Sequence, residues 1–366
     1  MHGEQDILYG LTSFRLHRIP YQVLILCPPI PPLWQNVRSP DLPNHPVIRE
    51  ILGTPLHVLV DNRKDRRTAK LIRTHLVESQ LPPGVISESI LDVRTCSPLF
   101  TLLTLARDLS TIELATAMYE LCGNFSVFKP TPAIENLLKT PEAIALSKND
   151  PNAWKRVRSA AQATSGNASS LWMRPPLIKL DELHKFARQC PHIRGRKRFE
   201  QAAQLVTGVT SSPFEVQLSM LLALPEEMGG KGMSGFANNG EIRLSKEARS
   251  VYSCDNVYAD LLFEGDETHH TLDVECQGAI IHDDEKQALN DADRATALAS
   301  LGIDTLWVTH RNIVDAKSFQ AIANFIGNKI GNPPLEPNDQ TRWRERELRR
   351  TLMIDWADLG LPAANA

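Results

Sequence analysis

Hydrophobic positions change their spacing several times along the chain, and each change predicts a different element. Residues 19 to 56 are rich in proline, and the apolar run Tyr21 to Cys27 predicts a strand that halts at Pro28-Pro29-Ile30-Pro31-Pro32, because proline cannot donate to a ladder. His57 to Val60 predicts a second short strand, followed by the basic turn Asn62-Arg63-Lys64-Asp65-Arg66-Arg67. From Ser97 the period becomes helical, with Leu99, Leu102, Leu103, Ala106 and Leu109 on one face, and Ile112 to Leu121 continues after a Ser110 cap. A polar stretch rich in alanine and serine runs from Ser147 to Ser170. Within it Trp154-Lys155-Arg156-Val157-Arg158 is compatible with a helix that has a solvated basic face. A second basic cluster, Arg194-Gly195-Arg196-Lys197-Arg198, opens a helix to Val206.

Beyond that point helix and strand patterns alternate. Phe214 to Leu224 is helical, with Phe214, Leu218, Leu221 and Leu222 as its core face, and a loop containing Gly229, Gly230, Gly232 and Gly235 follows. Val257 to Phe263 and Thr271 to Gln277 predict two strands joined by the acidic turn Glu264-Gly265-Asp266-Glu267, a hairpin signature. Asp284 to Leu301 is a helix ended by Gly302, Thr305 to Thr309 a strand, and Ala316 to Ile330 a helix. After Asn332, Trp343 and five arginines alternate with Glu345 and Glu347 as a short charged helix. The expected organisation is an α+β domain over 1–146, a linker with connecting helices over 147–195, an α/β domain over 196–332 and a charged helical tail over 333–366. The expected class is α/β, with a mixed central sheet flanked by helices in the C-terminal domain.

Composition narrows the function classes. A chain of 366 residues is long for one core. Its net charge of -3 excludes a globally basic nucleic-acid binder, so any DNA contact must be a local patch. Six cysteines without a CxxC pair indicate neither a zinc knuckle nor a disulfide framework, which fits a reducing cytoplasm. The N-terminus reads without a basic-then-apolar leader. The apolar run ending at Cys27 is far short of a bilayer span, so no membrane association is expected.

The candidate chemistry lies in the acidic hairpin. Side chains alternate along a strand, so Asp273, Glu275 and Gln277 share one face, and on the paired strand Asp260 sits between the apolar Ala259 and Leu261. Two carboxylates meeting at one spot are costly unless a cation compensates them. Magnesium or manganese answers best, taking one or two protein carboxylates plus water and substrate phosphate. Glu215 follows Ser211-Ser212-Pro213, which also reads as helix-start chemistry with Ser212 as N-cap and Glu215 at N3. His282 is a candidate general base. Asp291 and Arg294 share a helical face with Gln287, and Arg294 is a candidate phosphate ligand or a partner in an ordinary surface pair with Asp291.

Taken together, Ser212-Pro213-Phe214-Glu215, Asp260, Asp273-Val274-Glu275-Cys276-Gln277-Gly278, His282, Asp291-Ala292-Asp293-Arg294 and Leu301-Gly302 resemble the PD-(D/E)XK nuclease superfamily. The branch most alike is the one related to very-short-patch repair endonucleases. The resemblance implies a restriction-endonuclease-like core, metal ligation by Asp260 and Glu275 with Glu215 in support, and a catalytic role for His282. The chain departs from the pattern at Gln277, where the superfamily has lysine. A unit charge about 4 Å from developing negative charge is worth roughly 4 kcal/mol at an effective dielectric near 20, or about a thousandfold in rate. His57 to Val60, Arg66-Arg67, His75, Leu81-Pro82 and Ser97-Pro98 resemble the middle region of AbiEi-type antitoxins and regulators, which implies a defence or toxin-antitoxin setting and a cognate protein partner.

Three functions follow as expectations. The first is a magnesium-dependent DNA endonuclease using Glu215, Asp260, Glu275, Gln277 and His282, with Arg294, Arg63, Arg66, Arg67, Arg196 and Lys197 on phosphate and Asp291 in support. The second is a nuclease fold that has lost catalysis and binds DNA as a regulator or antitoxin. The third is an interaction protein whose acidic residues form a solvated hairpin face.

Overall fold

The computed structural model describes residues 7–33, 41–60, 63–66, 69–77, 81–157, 169–190, 192–278 and 285–360. The chain is mixed α/β and divides into two units. The first comprises 1–157, 170–204 and 357–366, and the second comprises 158–169 and 205–356. The helix Arg196–Gln204 is thus grouped with the first unit and the charged helix Asp339–Leu352 with the second.

In the first unit β1 (Ile7–Leu8), β2 (Leu56–Val60), β3 (Ile72–Leu76), β4 (Ile86–Glu88) and β5 (Arg94–Cys96) form a mixed sheet in the order β3-β2-β1-β5-β4. β6 (Phe125–Val127), β7 (Lys155–Arg156) and β8 (Leu171–Met173) form a smaller antiparallel sheet in the order β6-β8-β7. The helices Pro98–Leu105 and Thr111–Cys122 begin where the sequence indicates. Ser97 accepts the Phe100 amide, and Ser110 forms a reciprocal capping box with Glu113.

Two expectations fail here. Tyr21–Leu26 is a helix, not a strand, with Gln22 and Val23 buried and Ile25 exposed. An unbroken apolar run has no period to choose between the two, and the following prolines stop a helix as well as a strand. Gln22 settles the choice by a two-point bond to the backbone of Trp154, donating to its carbonyl at 2.9 Å and accepting its amide at 3.1 Å. Lys155–Arg156 is a strand rather than part of a solvated helix. The Arg156 guanidinium forms a fork on Glu135 (2.9 and 2.6 Å) and lies over Trp172, which takes its charge out of any free basic face.

His17 is the titratable weak point of this unit. Its Nε2 lies 2.8 Å from the Cys96 carbonyl, and burial, only partly opposed by that bond, pushes its pKa down to about 4. The unfolded chain binds a proton near pH 6.5 and the folded chain does not until about pH 4. The stabilisation is therefore complete above pH 6.5 and is lost as pH falls through that window. Denaturation midpoints at pH 7 and pH 4.5 should show the wild type losing roughly 2–3 kcal/mol more than His17→Gln. Parallel losses in the two proteins would clear His17 of the effect.

In the second unit the element order is helix Pro213–Ala223, β9 (Phe236–Arg243), helix Lys246–Val251, β10 (Asn256–Phe263), β11 (Leu272–Gln277), helix Glu285–Ser300, β12 (Asp304–Thr309) and the helices His310–Val314, Ala316–Lys329 and Asp339–Leu352. The sheet order is β12-β11-β10-β9, antiparallel except for the parallel pair β11 and β12. β9 and the short helix after it escape the sequence patterns for a specific reason. The inward positions of β9 are Asn238, Gly240 and Ile242, so its alternation is not written in apolar residues. Gly240 is required by its neighbour, since a Cβ there would sit 2.4 Å from the Cβ of Leu262.

Candidate functional site

β11 is an inner strand between β10 and β12, and from Leu272 to Glu275 its side chains are buried on both faces. Asp273 is 0% exposed and Glu275 is 9% exposed. The ladder with β10 runs Phe263 to Leu272, Leu262 to Asp273 and Leu261 to Val274, then stops. One further step of the same register sets Asp260 across from Glu275. There the Asp260 carboxylate accepts the Cys276 amide at 2.7 Å, so a side chain replaces the main-chain partner. The ladder on the other side is interrupted at the same level. Ala259 pairs with Gly240 and Leu261 with Asn238, while Asn239, opposite Asp260, has a left-handed φ of 51°. Asp260 therefore sits at a break in both ladders.

The helix Pro213–Ala223 supplies the third carboxylate. Ser212 is its N-cap, accepting the Glu215 amide at 3.2 Å, with Pro213 in the first turn. The Glu215 carboxylate reaches back past the cap to accept the Ser211 amide (2.7 Å) and the Ser212 hydroxyl (2.9 Å). Those bonds fix a side chain that is only 6% exposed. The capping and site readings of Glu215 are thus compatible. The same bonds that start the helix hold the carboxylate in the field of Asp260 and Glu275.

Arg294, on the helix Glu285–Ser300, faces this cluster rather than solvent. Its guanidinium is bonded to Glu275, lies 3.8 Å from Asp273 and donates to the Tyr258 carbonyl at 2.9 Å. Asp273 accepts from Thr305 at 3.3 Å on one oxygen, while Oδ1 is buried without a partner. Asp273 and Glu275 thus share one cation, and Asp260 lies in its field. Burial is the first cause that raises the pKa of Glu215, Asp260 and Asp273, and repulsion from the neighbouring carboxylates adds to it. Burial and the same charges push the Cys276 thiol well up, so it is no nucleophile.

Among the described residues no three Asp, Glu, His or Cys side chains converge as a ready-made metal cage. The donor set fits a hard cation of the magnesium type, which takes one or two carboxylates and completes its shell with water, better than zinc, which wants three or four protein ligands. The unpartnered Asp273 oxygen is a spare donor beside these carboxylates.

The remaining candidates are dispersed. Gln277 is exposed at the end of β11, and Asp291 is half-buried one turn before Arg294. His282 and Arg67 lie outside the described residues. Arg63 and Arg66 are exposed at a 3-10 turn of the first unit, and Arg196 is paired with Glu200 at 2.5 Å beside an exposed Lys197. Of the basic candidates among the described residues, Arg294 is the one that joins the carboxylates. Asp273 is placed on the face of Glu275 by its two-residue spacing, but the sequence assigns it no role in the site, where the structure buries it beside Arg294. Compared with models of protein families, with characterised proteins and with solved structures, the chain finds no match.

Proposed function

We propose that the second unit is a metal-dependent endodeoxyribonuclease that hydrolyses phosphodiester bonds, with Asp260 and Glu275 as ligands of magnesium or manganese. The observation that carries this reading is the gathering of Asp260, Asp273 and Glu275 at a break in the sheet, with Glu215 held in their field and Arg294 bonded to Glu275. Such a surplus of buried carboxylates is unfavourable for folding and is retained where it serves a site. The helix, three antiparallel strands, helix and parallel strand are also in keeping with the nuclease resemblance noted above. Bound metal supplies a Lewis acid that lowers the pKa of a water molecule and offsets charge on the leaving oxygen. Glu215, locked by Ser211 and Ser212, orients the water, and Gln277 contributes hydrogen bonding without charge. Arg294 supplies the positive charge that Gln277 lacks, and His282 takes or returns the proton.

A second reading is a DNA-binding regulator on an inactive nuclease fold. It is favoured by one observation: the ion pair with Arg294 already compensates Glu275. A plasmid-nicking assay with magnesium or manganese, run beside Glu275→Ala, separates the two. The nuclease reading expects cleavage that needs metal and drops at least about a thousandfold in Glu275→Ala. Absence of cleavage with salt-sensitive DNA binding retained would favour the regulator.

A further inference from the structure

The first unit contains a cavity of about 540 Å³ at the start of the helix Arg196–Gln204. Its charged lining is of one sign: Arg107, Arg194, Arg196, Lys197 and Arg198, with His192, and no acidic side chain. In a chain of net charge -3 this concentration of cations needs a cause.

The five cations are not equivalent. Arg198 is committed to the protein, donating to the carbonyls of Ala106 (3.1 Å) and Leu109 (2.8 Å) just beyond the helix Pro98–Leu105. Arg196 is committed to Glu200. Arg107, Arg194 and Lys197 have no carboxylate partner among the described residues, and Arg194 and Lys197 are exposed. Their placement is also electrostatically adverse. Lys197 lies in the first turn of a helix with no acidic residue there, where backbone amides already present positive charge. Cations crowded at that end are relieved by an anion bound between them.

The positive surface continues beyond the cavity. The Arg107 guanidinium lies 3.5 Å from the Tyr9 hydroxyl, Tyr9 stacks on His75 with centroids 4.6 Å apart, and His75 stacks on His57 at 4.9 Å. Arg73 pairs with His57 in the β2–β3 register, and β3 is the outer strand of its sheet. Arg107, Arg73 and Arg66 all act on His75. Asp108 also acts on Tyr9 and His57, but Arg107, Arg66 and Arg73 outnumber it, and cations spaced from the cavity to a sheet edge suit a ligand with repeated negative charges better than one with a single anionic group.

We propose that this cavity and the adjoining β3 edge bind the phosphate backbone of a nucleic acid strand, with Arg107, Arg194 and Lys197 as the phosphate contacts. The proposal rests on the nuclease reading only for the identity of the polyanion, and it concerns binding, not cleavage. The test is fluorescence anisotropy of the full chain in EDTA with a labelled DNA duplex of roughly 25 base pairs, titrated between about 50 and 200 mM salt. The triple variant Arg107→Gln, Arg194→Gln, Lys197→Gln should bind about 10- to 100-fold more weakly and reduce the slope of log affinity against log salt by about 2 to 3. The exposed pair Arg194→Gln, Lys197→Gln, which leaves half-buried Arg107 in place, should show part of both effects. Trp343→Ala, exposed in the second unit and outside both sites, should bind like the wild type, and because binding is read in EDTA, where metal-dependent nicking is silent, loss of cleavage and loss of binding fail independently. Unchanged affinity and slope in both cavity variants would overturn the proposal, as would failure of the wild type to bind. Displacement of the DNA by ATP at equal phosphate concentration would also overturn it, making the cavity a nucleotide pocket.

Discussion

Asp260→Asn is expected to abolish metal-dependent nicking while making the folded protein more stable. The side chain keeps its shape, and its amide oxygen can still accept the Cys276 amide that Asp260 now accepts at 2.7 Å. What disappears is one negative charge among four buried carboxyls. Cleavage should fall by at least about three orders of magnitude, the worth of a unit charge near the reacting centre. Stability should move the other way, and the sign follows from titration. Burial, then the Glu275 charge, raise the folded pKa of Asp260 to about 7, well above its unfolded value. The folded state therefore binds this proton more tightly. Stability from that preference is complete in acid and is lost as pH rises through about 7. Asparagine avoids that loss, which a rise from 3.8 to about 7 caps at about 4 kcal/mol, and with the neighbouring carboxyls taking up part of the repulsion the gain should be roughly 1–2 kcal/mol near pH 8 without metal and should vanish near pH 4. Denaturation midpoints in EDTA at the two pH values, beside the nicking assay, measure both effects. Undiminished nicking would remove Asp260 from the site. Loss of nicking with a lowered midpoint would mean damage to the fold rather than to chemistry.

A trade of stability for a charged cluster also explains which parts of the site the sequence reveals. Asp273, Glu275 and Gln277 are readable because a strand imposes a two-residue period, and carboxylates in an otherwise apolar strand break the expected composition. The hairpin joining β10 to β11 and the Gly302 stop, at a φ of +71°, are local chemistry and equally readable. The helix cap at Ser212 is legible too, and its spacing to Glu215 encodes a carboxylate that reaches back past the cap, but not that Asp260 and Glu275 lie beside it there. The choice of Arg294 between Asp291 and the sheet depends on how its helix lies on β10 and β11, a tertiary outcome.

Other failures have the same physical origin. β9 carries Asn238 and Gly240 at inward positions because Leu262 leaves no room for a side chain at 240 and Thr207 bonds Asn238 at 3.1 Å. A strand whose buried positions are chosen by close approach looks like a loop when read by hydrophobicity. Tyr21–Leu26 errs the other way, an apolar run whose shape is decided by Gln22 finding the backbone of Trp154, far along the chain. The charged C-terminal helix forms as expected, over Asp339–Leu352, but its charges are not all on the surface.

Within that helix, Asp339–Leu352, Glu345 and Arg349 are buried beside Leu348 and Leu352. The Lys231 ammonium lies 2.8 Å from one Glu345 oxygen and 2.6 Å from the Gln320 side chain. Arg349 bonds the other Glu345 oxygen at 3.0 Å and donates to the Ile313 carbonyl. Both cations also lie over the Phe319 ring, at 5.7 and 4.6 Å from its centre. Glu345 is thus the only carboxylate bonded to two buried cations among the described residues, and Glu345→Ala should cost about 3–5 kcal/mol by leaving both uncompensated. Trp343→Ala, on the exposed side of the same helix, should cost less than about 0.5 kcal/mol, which separates loss of the ion triad from loss of the helix. Replacing all three charges together, Lys231→Met, Glu345→Leu and Arg349→Met, should recover most of the loss, because the triad's Coulomb gain is largely spent on desolvation. Chemical denaturation of the four proteins measures this, and a Glu345→Ala cost below about 1 kcal/mol would show that water reaches the cluster and that the helix is held by Leu348 and Leu352 alone.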